Sequence, residues 1–203
     1  MAENRRSPKE KSSNGQVVGR HRVLDEAERL FHTRGYNAVT MRDIAFEVGI
    51  RQASLYYHFP SKEQLFVAVT ERMFECHRTG LQKAICQNDT GLRSQLHAAA
   101  EWFLSQPPVH FLSMVHTDMP SLDEENIKRL SACFYQSIFE PLRQTFAQAQ
   151  ERGEIRNTHP EILAGFFLSV MESIPYVTTK PNTAPKELIV NEMMSILLDG
   201  LKP

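Results

Sequence analysis

Cysteine is scarce in this chain and long apolar runs are missing, and each absence excludes a class of protein. The three cysteines, Cys76, Cys86 and Cys133, are odd in number and form no CxxC pair. That argues against a disulfide framework or a zinc site, and the expected setting is a reducing, cytoplasmic one. The longest apolar run, AGFFLSVM at 164–171, is far short of the roughly 20 residues a membrane-spanning helix needs. The opening MAENRRSPKEKSSNG is positively charged, but no hydrophobic region follows it as in a secretory signal. Insertion into a membrane is not expected. No GxSxG, HExxH, GxGxxG or GxxxxGK[ST] occurs, and the histidines are too widely spaced to name a metal site or an acid–base pair. No catalytic residue, metal or cofactor is therefore expected, and the chain does not read as an enzyme.

What is present is an ordinary globular composition: 203 residues, 41% hydrophobic and 23% charged, enough to bury a core in one or two units. The net charge of −1 conceals an asymmetry. Residues 1–62 hold eleven Lys/Arg against seven Asp/Glu, and the remainder holds 12 against 17. A basic front and an acidic back either direct polyanions to one part of the molecule or are solvated faces; charge alone does not choose.

Helical periodicity runs nearly throughout, with almost no strand-like alternation, so the predicted class is all-α. Val23, Leu24, Ala27, Leu30 and Phe31 form one stripe that ends at Gly35. In TMRDIAFEVG (40–49), Thr40 can cap a helix with Asp43 three residues on; Met41, Ile44, Ala45 and Val48 face inward, and Gly49 ends it. The next helix starts near Arg51 and must stop before Pro60, because proline disfavours the helical conformation in the residue ahead of it. Two short helices joined by a tight glycine-containing turn make a helix-turn-helix. After Pro60, SKEQ reads as a capping box opening a fourth helix along Leu65, Phe66, Val69, Met73 and Phe74.

Lys62 stands in the first turn of that fourth helix, where the macrodipole disfavours a cation, so an anion such as phosphate is expected nearby. In the preceding helix Leu55 and Phe59 are four apart and can enter the core, leaving Arg51, Gln52, Ser54, Tyr57 and His58 outward or sideways. Arginine and glutamine can make paired hydrogen bonds to base edges, and tyrosine and histidine can donate to phosphates. The plainer alternative makes Tyr56 and Tyr57 half-buried packing residues and His58 a surface histidine.

The stretch TMRDIAFEVGIRQASLYYHFPSKEQLF (40–66) closely resembles the DNA-binding signature of the tetracycline-repressor-like (TetR/AcrR) family of bacterial transcription regulators. Thr40, Ile44, Ala45, Gly49, Leu55, Tyr56, His58, Phe59, Lys62 and Leu65 stand at that family's spacing, and the match covers about residues 18–75. The stretch NRRSPKEKSSNG is low in apolar residues, so a disordered basic arm is expected at 1–17. The resemblance implies a three-helix DNA-binding domain at 18–62, then a helical ligand-binding and dimerisation domain at 63–203, about nine helices in all. It further implies a homodimer on a palindromic double-stranded operator, and a repressor released by a small organic effector. By the same resemblance Thr40, Tyr56, His58 and Lys62 would grip phosphates and Arg42 a base or a phosphate, while Gln52, Ala53, Ser54 and Tyr57 would face bases or the groove wall. One position departs from the family: Arg51 stands where serine or threonine usually caps the helix, and is either a DNA contact or a solvated charge. The alternative function is an all-α small-molecule binder or enzyme with a vestigial helix-turn-helix.

Within 63–203, helices are expected at 92–106, 109–116, 121–153 with a bend near Pro141, 160–177 and 186–201. The last two are apolar around most of their circumference, as helices covered on two sides must be. By resemblance, the second cover is the same pair of helices from a second subunit, with Ala164 and Gly165 allowing close approach. Trp102, Phe103, Phe111, Phe134, Phe167 and Met171 are the candidate walls of an effector site, with His116 foremost among its polar anchors and His97, His110 and Tyr135 also considered. Taken singly, each aromatic also reads as plain core.

Overall fold

The computed structural model describes residues 14–88, 91–107, 111–177 and 185–200. These residues are helical and contain no strand. In chain order the helices are α1 (Asn14–Arg34), α2 (Met41–Val48), α3 (Gln52–His58), α4 (Lys62–Gln87), α5 (Leu92–Ser105), α6 (Phe111–Thr117), α7 (Glu124–Phe134), α8 (Glu140–Glu151), α9 (Pro160–Val177) and α10 (Lys186–Asp199). A 3-10 turn at Met119–Ser121 precedes α7, and a π turn at Tyr135–Phe139 joins α7 to α8.

The chain divides into two compact units, residues 1–69 and 70–203. The division falls inside α4, seven residues beyond the 62/63 boundary expected from the sequence, because Leu65 and Phe66 are buried within the first unit. Phe66 sets its ring 5.3 Å from Phe31 and 4.7 Å from Tyr36. The arm expected at 1–17 lies outside the described residues up to 13, and α1 is already helical from Asn14.

In the first unit each short helix is bounded by residues that account for its length. The stripe Val23, Leu24, Ala27, Leu30 and Phe31 is buried, and Gly35 closes α1 at φ 78 with its amide on the Phe31 carbonyl. Thr40 and Asp43 form the expected reciprocal cap of α2, the Asp43 amide donating to Thr40 Oγ1 and the Thr40 amide to Asp43 Oδ2 at 2.9 Å. The Thr40 hydroxyl, 2.6 Å from Oδ2, and then the Thr40 amide hold the Asp43 carboxyl below the usual range. Gly49 ends α2 at φ 76, its amide on the Phe46 carbonyl and that of Ile50 on Ala45. This is a Schellman stop, in which a residue with a Cβ would be strained. α3 runs only seven residues and ends at Phe59, extended at φ −138 and ψ 103 as the residue before a proline prefers. Ser61 Oγ then accepts the Gln64 amide at 3.1 Å and opens α4.

In the second unit the core is made by Phe74, Leu81, Leu96, Leu130, Leu142, Phe146 and Phe167, with α8 packed on α9 and α10 on α5. Arg129 of α7 forks onto Glu71 of α4 at 2.5 and 2.7 Å. Glu154, just past α8, reaches back to cap α5 by accepting the Leu92 amide at 2.6 Å. Burial works to raise the Glu154 carboxyl, but that amide and Arg152 carry it below the usual range.

The single bent helix expected at 121–153 runs without a break over 124–151, its α pitch interrupted by the π turn at Tyr135–Phe139. Pro141 cannot donate an amide, and its ring crowds the carbonyl four residues back. The chain widens into the π turn just before it, the Glu140 amide bonding the Tyr135 carbonyl, and α8 restarts with Pro141 in its first turn. α10 also ends earlier than expected, at Asp199, with Leu201 outside the described residues. Cys76, Cys86 and Cys133 are all free thiols.

Candidate nucleic-acid interface and effector core

α3 buries Leu55, and Phe59 just beyond it is also buried; Arg51, Gln52, Ala53, Ser54, Tyr56 and Tyr57 are exposed and His58 is half-buried. An amphipathic helix of seven residues with one buried side chain presents nearly all its chemistry outward. Tyr57 is 76% exposed and meets the His58 ring edge-on at 5.5 Å. Arg51 takes the cap position with an extended backbone and makes no side-chain capping bond.

Two of the expected phosphate ligands have partners inside the chain. Thr40 Oγ1 lies 2.6 Å from Asp43 Oδ2 and also accepts the Asp43 amide, so its hydroxyl proton already serves the capping carboxylate. Arg42, one residue into α2, is exposed. Lys62 is half-buried: its Nζ donates to the Tyr36 carbonyl at 3.0 Å and sits 4.1 Å from the centre of the Tyr36 ring. The electron-rich partner that a cation at a helix N-terminus requires is thus supplied partly within the chain, by a carbonyl and a ring face.

Three residues of this unit escaped sequence reasoning. The Arg20 guanidinium lies 4.9 Å over the Phe59 ring, which puts a second cation beside the end of α3. Tyr36 is buried yet holds Lys62. Phe46 is 82% exposed on α2, and the inward set Met41, Ile44, Ala45 and Val48 already left it facing out.

In the second unit, three of the candidate effector residues gather around one the sequence did not single out. His77 of α4 is 2% exposed. Trp102 Nε1 donates to its Nδ1 at 3.3 Å, and Phe103 stacks on it at 5.5 Å and 27°. Phe103 in turn lies 6.3 Å from Phe167. A Cβ at Gly80 would fall 2.1 Å from the Trp102 indole, so glycine there is what lets the ring lie against α4. Burial pushes the His77 imidazole down to about 4. It is therefore neutral at pH 7, and Trp102 occupying Nδ1 puts the proton on Nε2. Phe134 packs on Phe74 at 5.9 Å, and Met171 is buried one turn beyond Phe167 on α9. His116 is exposed and Tyr135 stacks on Phe139 of the π turn, so neither joins the His77 group. His97 is half-buried on α5; His110 and the side chain of Phe111 lie outside the described residues. Position 77 was legible as a member of the buried stripe Thr70, Phe74, His77, Leu81, but its polarity masked it.

α9 and α10 each bury one face and expose an apolar one. Leu163, Ala164, Phe167 and Ile174 face the core, whereas Ile162, Phe166 and Tyr176 are exposed along the opposite stripe. Leu188 and Ile196 do the same on α10. Ala164 is thus spent on its own unit, while a side chain at Gly165 would meet open space. Among the described residues no helix is long and apolar enough to cross a membrane, and no cluster of His, Cys, Asp or Glu is placed to hold a metal ion.

An all-helical chain whose first unit is a helix-turn-helix with an outward-facing second helix is the architecture of a DNA-binding regulator. The family model for bacterial regulatory proteins of the tetR family matches residues 23–69. The negative transcriptional regulator of the icaADBC biofilm operon, IcaR, of Staphylococcus aureus is 25% identical over 142 residues, 62% of this chain and 74% of that protein. The transcriptional activator FasR of Mycolicibacterium smegmatis is 37% identical over 84 residues, 41% of this chain and 38% of that one. The crystal structure of AibR with isovaleryl coenzyme A and operator DNA superposes with a TM-score of 0.72 at 24% identity, over 89% of this chain and 98% of AibR. The first unit matches the DNA-binding domain of the tetR family, and the chain as a whole is similar to DNA-binding transcriptional regulators of that kind.

Proposed function

We propose that this chain is a cytoplasmic repressor that binds a palindromic operator as a homodimer and is released by a small organic effector, without catalysing a reaction of its own. The observation that carries the DNA half is α3, which commits only Leu55 to the core and turns Arg51, Gln52, Ser54, Tyr56 and Tyr57 outward. Gln52 and Arg51 suit base edges, Ala53, Ser54 and Tyr57 the groove wall, and Tyr56, His58, Arg42 and Lys62 the backbone. Thr40 serves first as the α2 cap, and its one hydroxyl proton goes to Asp43, so a phosphate contact requires that proton to turn away from the carboxylate.

The dimer follows from the exposed stripes of α9 and α10, whose large apolar side chains resemble the core of an interface more than a solvated surface. The two-fold axis of such a dimer dictates a palindromic site. The effector half rests on the cluster of Trp102, Phe103 and Phe167 around a neutral His77, an apolar setting with one polar group. Repression is the reading in line with IcaR; FasR, an activator, shows that relatives act in both directions. A gel-shift titration against the DNA flanking the protein's own gene, with excess random-sequence DNA as competitor, tests the proposal. A shift that survives the competitor is expected, and one abolished by it in proportion to mass would refute specific recognition.

A further inference from the structure

Lys62 and Tyr36 are 26 residues apart in sequence, yet the ammonium is held at two points by one tyrosine: a 3.0 Å bond to its carbonyl and a 4.1 Å approach to its ring. That ring is itself fixed. It is buried, tilted against Phe31 at 5.9 Å and against Phe66 at 4.7 Å, so its face toward Lys62 is set by the core of the first unit. Lysine is a flexible four-carbon stem that loses much rotamer freedom when it grips a phosphate. A side chain already restrained has less freedom to lose on binding. A ring and a carbonyl are neutral, so neither of these two contacts cancels the ammonium's charge. A second cation of this unit has a similar backing, Arg20 lying over the Phe59 ring at 4.9 Å.

We propose that Tyr36 is a positioning residue for DNA binding, holding the Lys62 ammonium in place for a backbone phosphate through its ring face. The inference rests on the reading of Lys62 as a phosphate contact, and the two fail separately. The Tyr36 carbonyl belongs to the backbone and survives any substitution, so the ring is what a variant tests. The ring attracts a cation through its electron-rich face, and fluorination weakens that face while almost preserving its shape.

The experiment places phenylalanine, difluorophenylalanine and trifluorophenylalanine at position 36, in the Lys62 and the Lys62→Ala backgrounds. It measures affinity for a short random-sequence duplex across a salt titration, with circular dichroism confirming the fold. Phosphate contacts are independent of sequence, so no operator is needed. With Lys62 present, affinity should fall stepwise with fluorination, to about three- to tenfold weaker for the trifluoro ring. With alanine at 62 it should not change along the series. Phe31→Leu, which loosens the packing that fixes the ring, should lower thermal stability and weaken affinity only while Lys62 is present. A flat series with Lys62 present, an equal fall in both backgrounds, or a rise on fluorination, the sign of a ring that withholds Lys62 from DNA, would each overturn the role of Tyr36. If Lys62→Ala by itself leaves affinity and salt dependence unaltered, the phosphate reading fails first and the positioning role with it.

Discussion

A carboxylate placed on the exposed stripe of α9 should separate the proposed dimer into folded monomers. Phe166 is 50% exposed and Ile196 of α10 is 74% exposed. Covering a half-exposed large apolar side chain contributes about 1 kcal/mol, on the scale of about 1.5–3 kcal/mol for complete burial. A two-fold axis uses each residue twice, so Phe166→Glu forfeits about 2 kcal/mol and also buries two carboxylates without partners, at about 1–3 kcal/mol each. The total is about 4–8 kcal/mol, and its lower limit already corresponds to roughly a thousandfold in the dissociation constant, since each 1.4 kcal/mol is about tenfold. Gly165→Glu tests the same face from the neighbouring position, where a new side chain meets open space within its own chain. Sedimentation velocity over a range of concentrations reads the effect, with circular dichroism as the control for folding. If both variants stay folded and dimeric at the concentrations where the wild type is dimeric, the interface lies elsewhere.

Gln52→Ala should relax preference at one base pair of each half-site, by about 1–3 kcal/mol for a paired contact, as read by selection from a randomised duplex pool; an unchanged consensus removes Gln52 from base readout. Lys62→Ala should weaken binding to all sequences and reduce the log–log salt slope by about one unit per half-site, and an unaltered slope denies it a phosphate. His77 gives a pH signature. Its imidazole titrates near 4 when folded and near 6.5 when unfolded, so the unfolded chain binds the extra proton between those values. Its contribution, on the order of 3 kcal/mol, is full above about pH 6.5 and is lost as pH falls toward 4. Thermal melts of the wild type should steepen their loss of stability across that window, and His77→Phe should flatten it; parallel curves would mean that the histidine charges freely in the folded state.

Much of the first unit was legible because its boundaries are local. Thr40, Gly49 and Pro60 each act on one or two neighbouring residues, and α2 and α3 begin and end where they require. The outward set on α3 followed from placing Leu55 and Phe59 in the core. What the sequence could not show are pairings across distance. The dipole at the start of α4 called for a partner to Lys62, and only the fold reveals that Tyr36, far back in the chain, provides one. Thr40 reads equally as a cap and as a phosphate ligand until the 2.6 Å approach to Asp43 shows where its proton goes. In the second unit Pro141 predicted a bend, but a proline by itself does not choose between a break, a kink and a widened turn, and the chain takes the π turn at Tyr135–Phe139. The histidine that matters there sits in a hydrophobic stripe, a place where periodicity registers a polar residue as a gap.

The most direct test of the central claim is selection of the bound DNA by the intact protein, followed by affinity measurement on the selected site and on each isolated half. A dimer presenting two copies of α3 should enrich an inverted repeat with half-site centres about one helical turn, or a multiple of one, apart, and should bind the full site far more tightly than either half. Enrichment of no sequence, or a lone half-site bound as tightly as the repeat, would contradict the account.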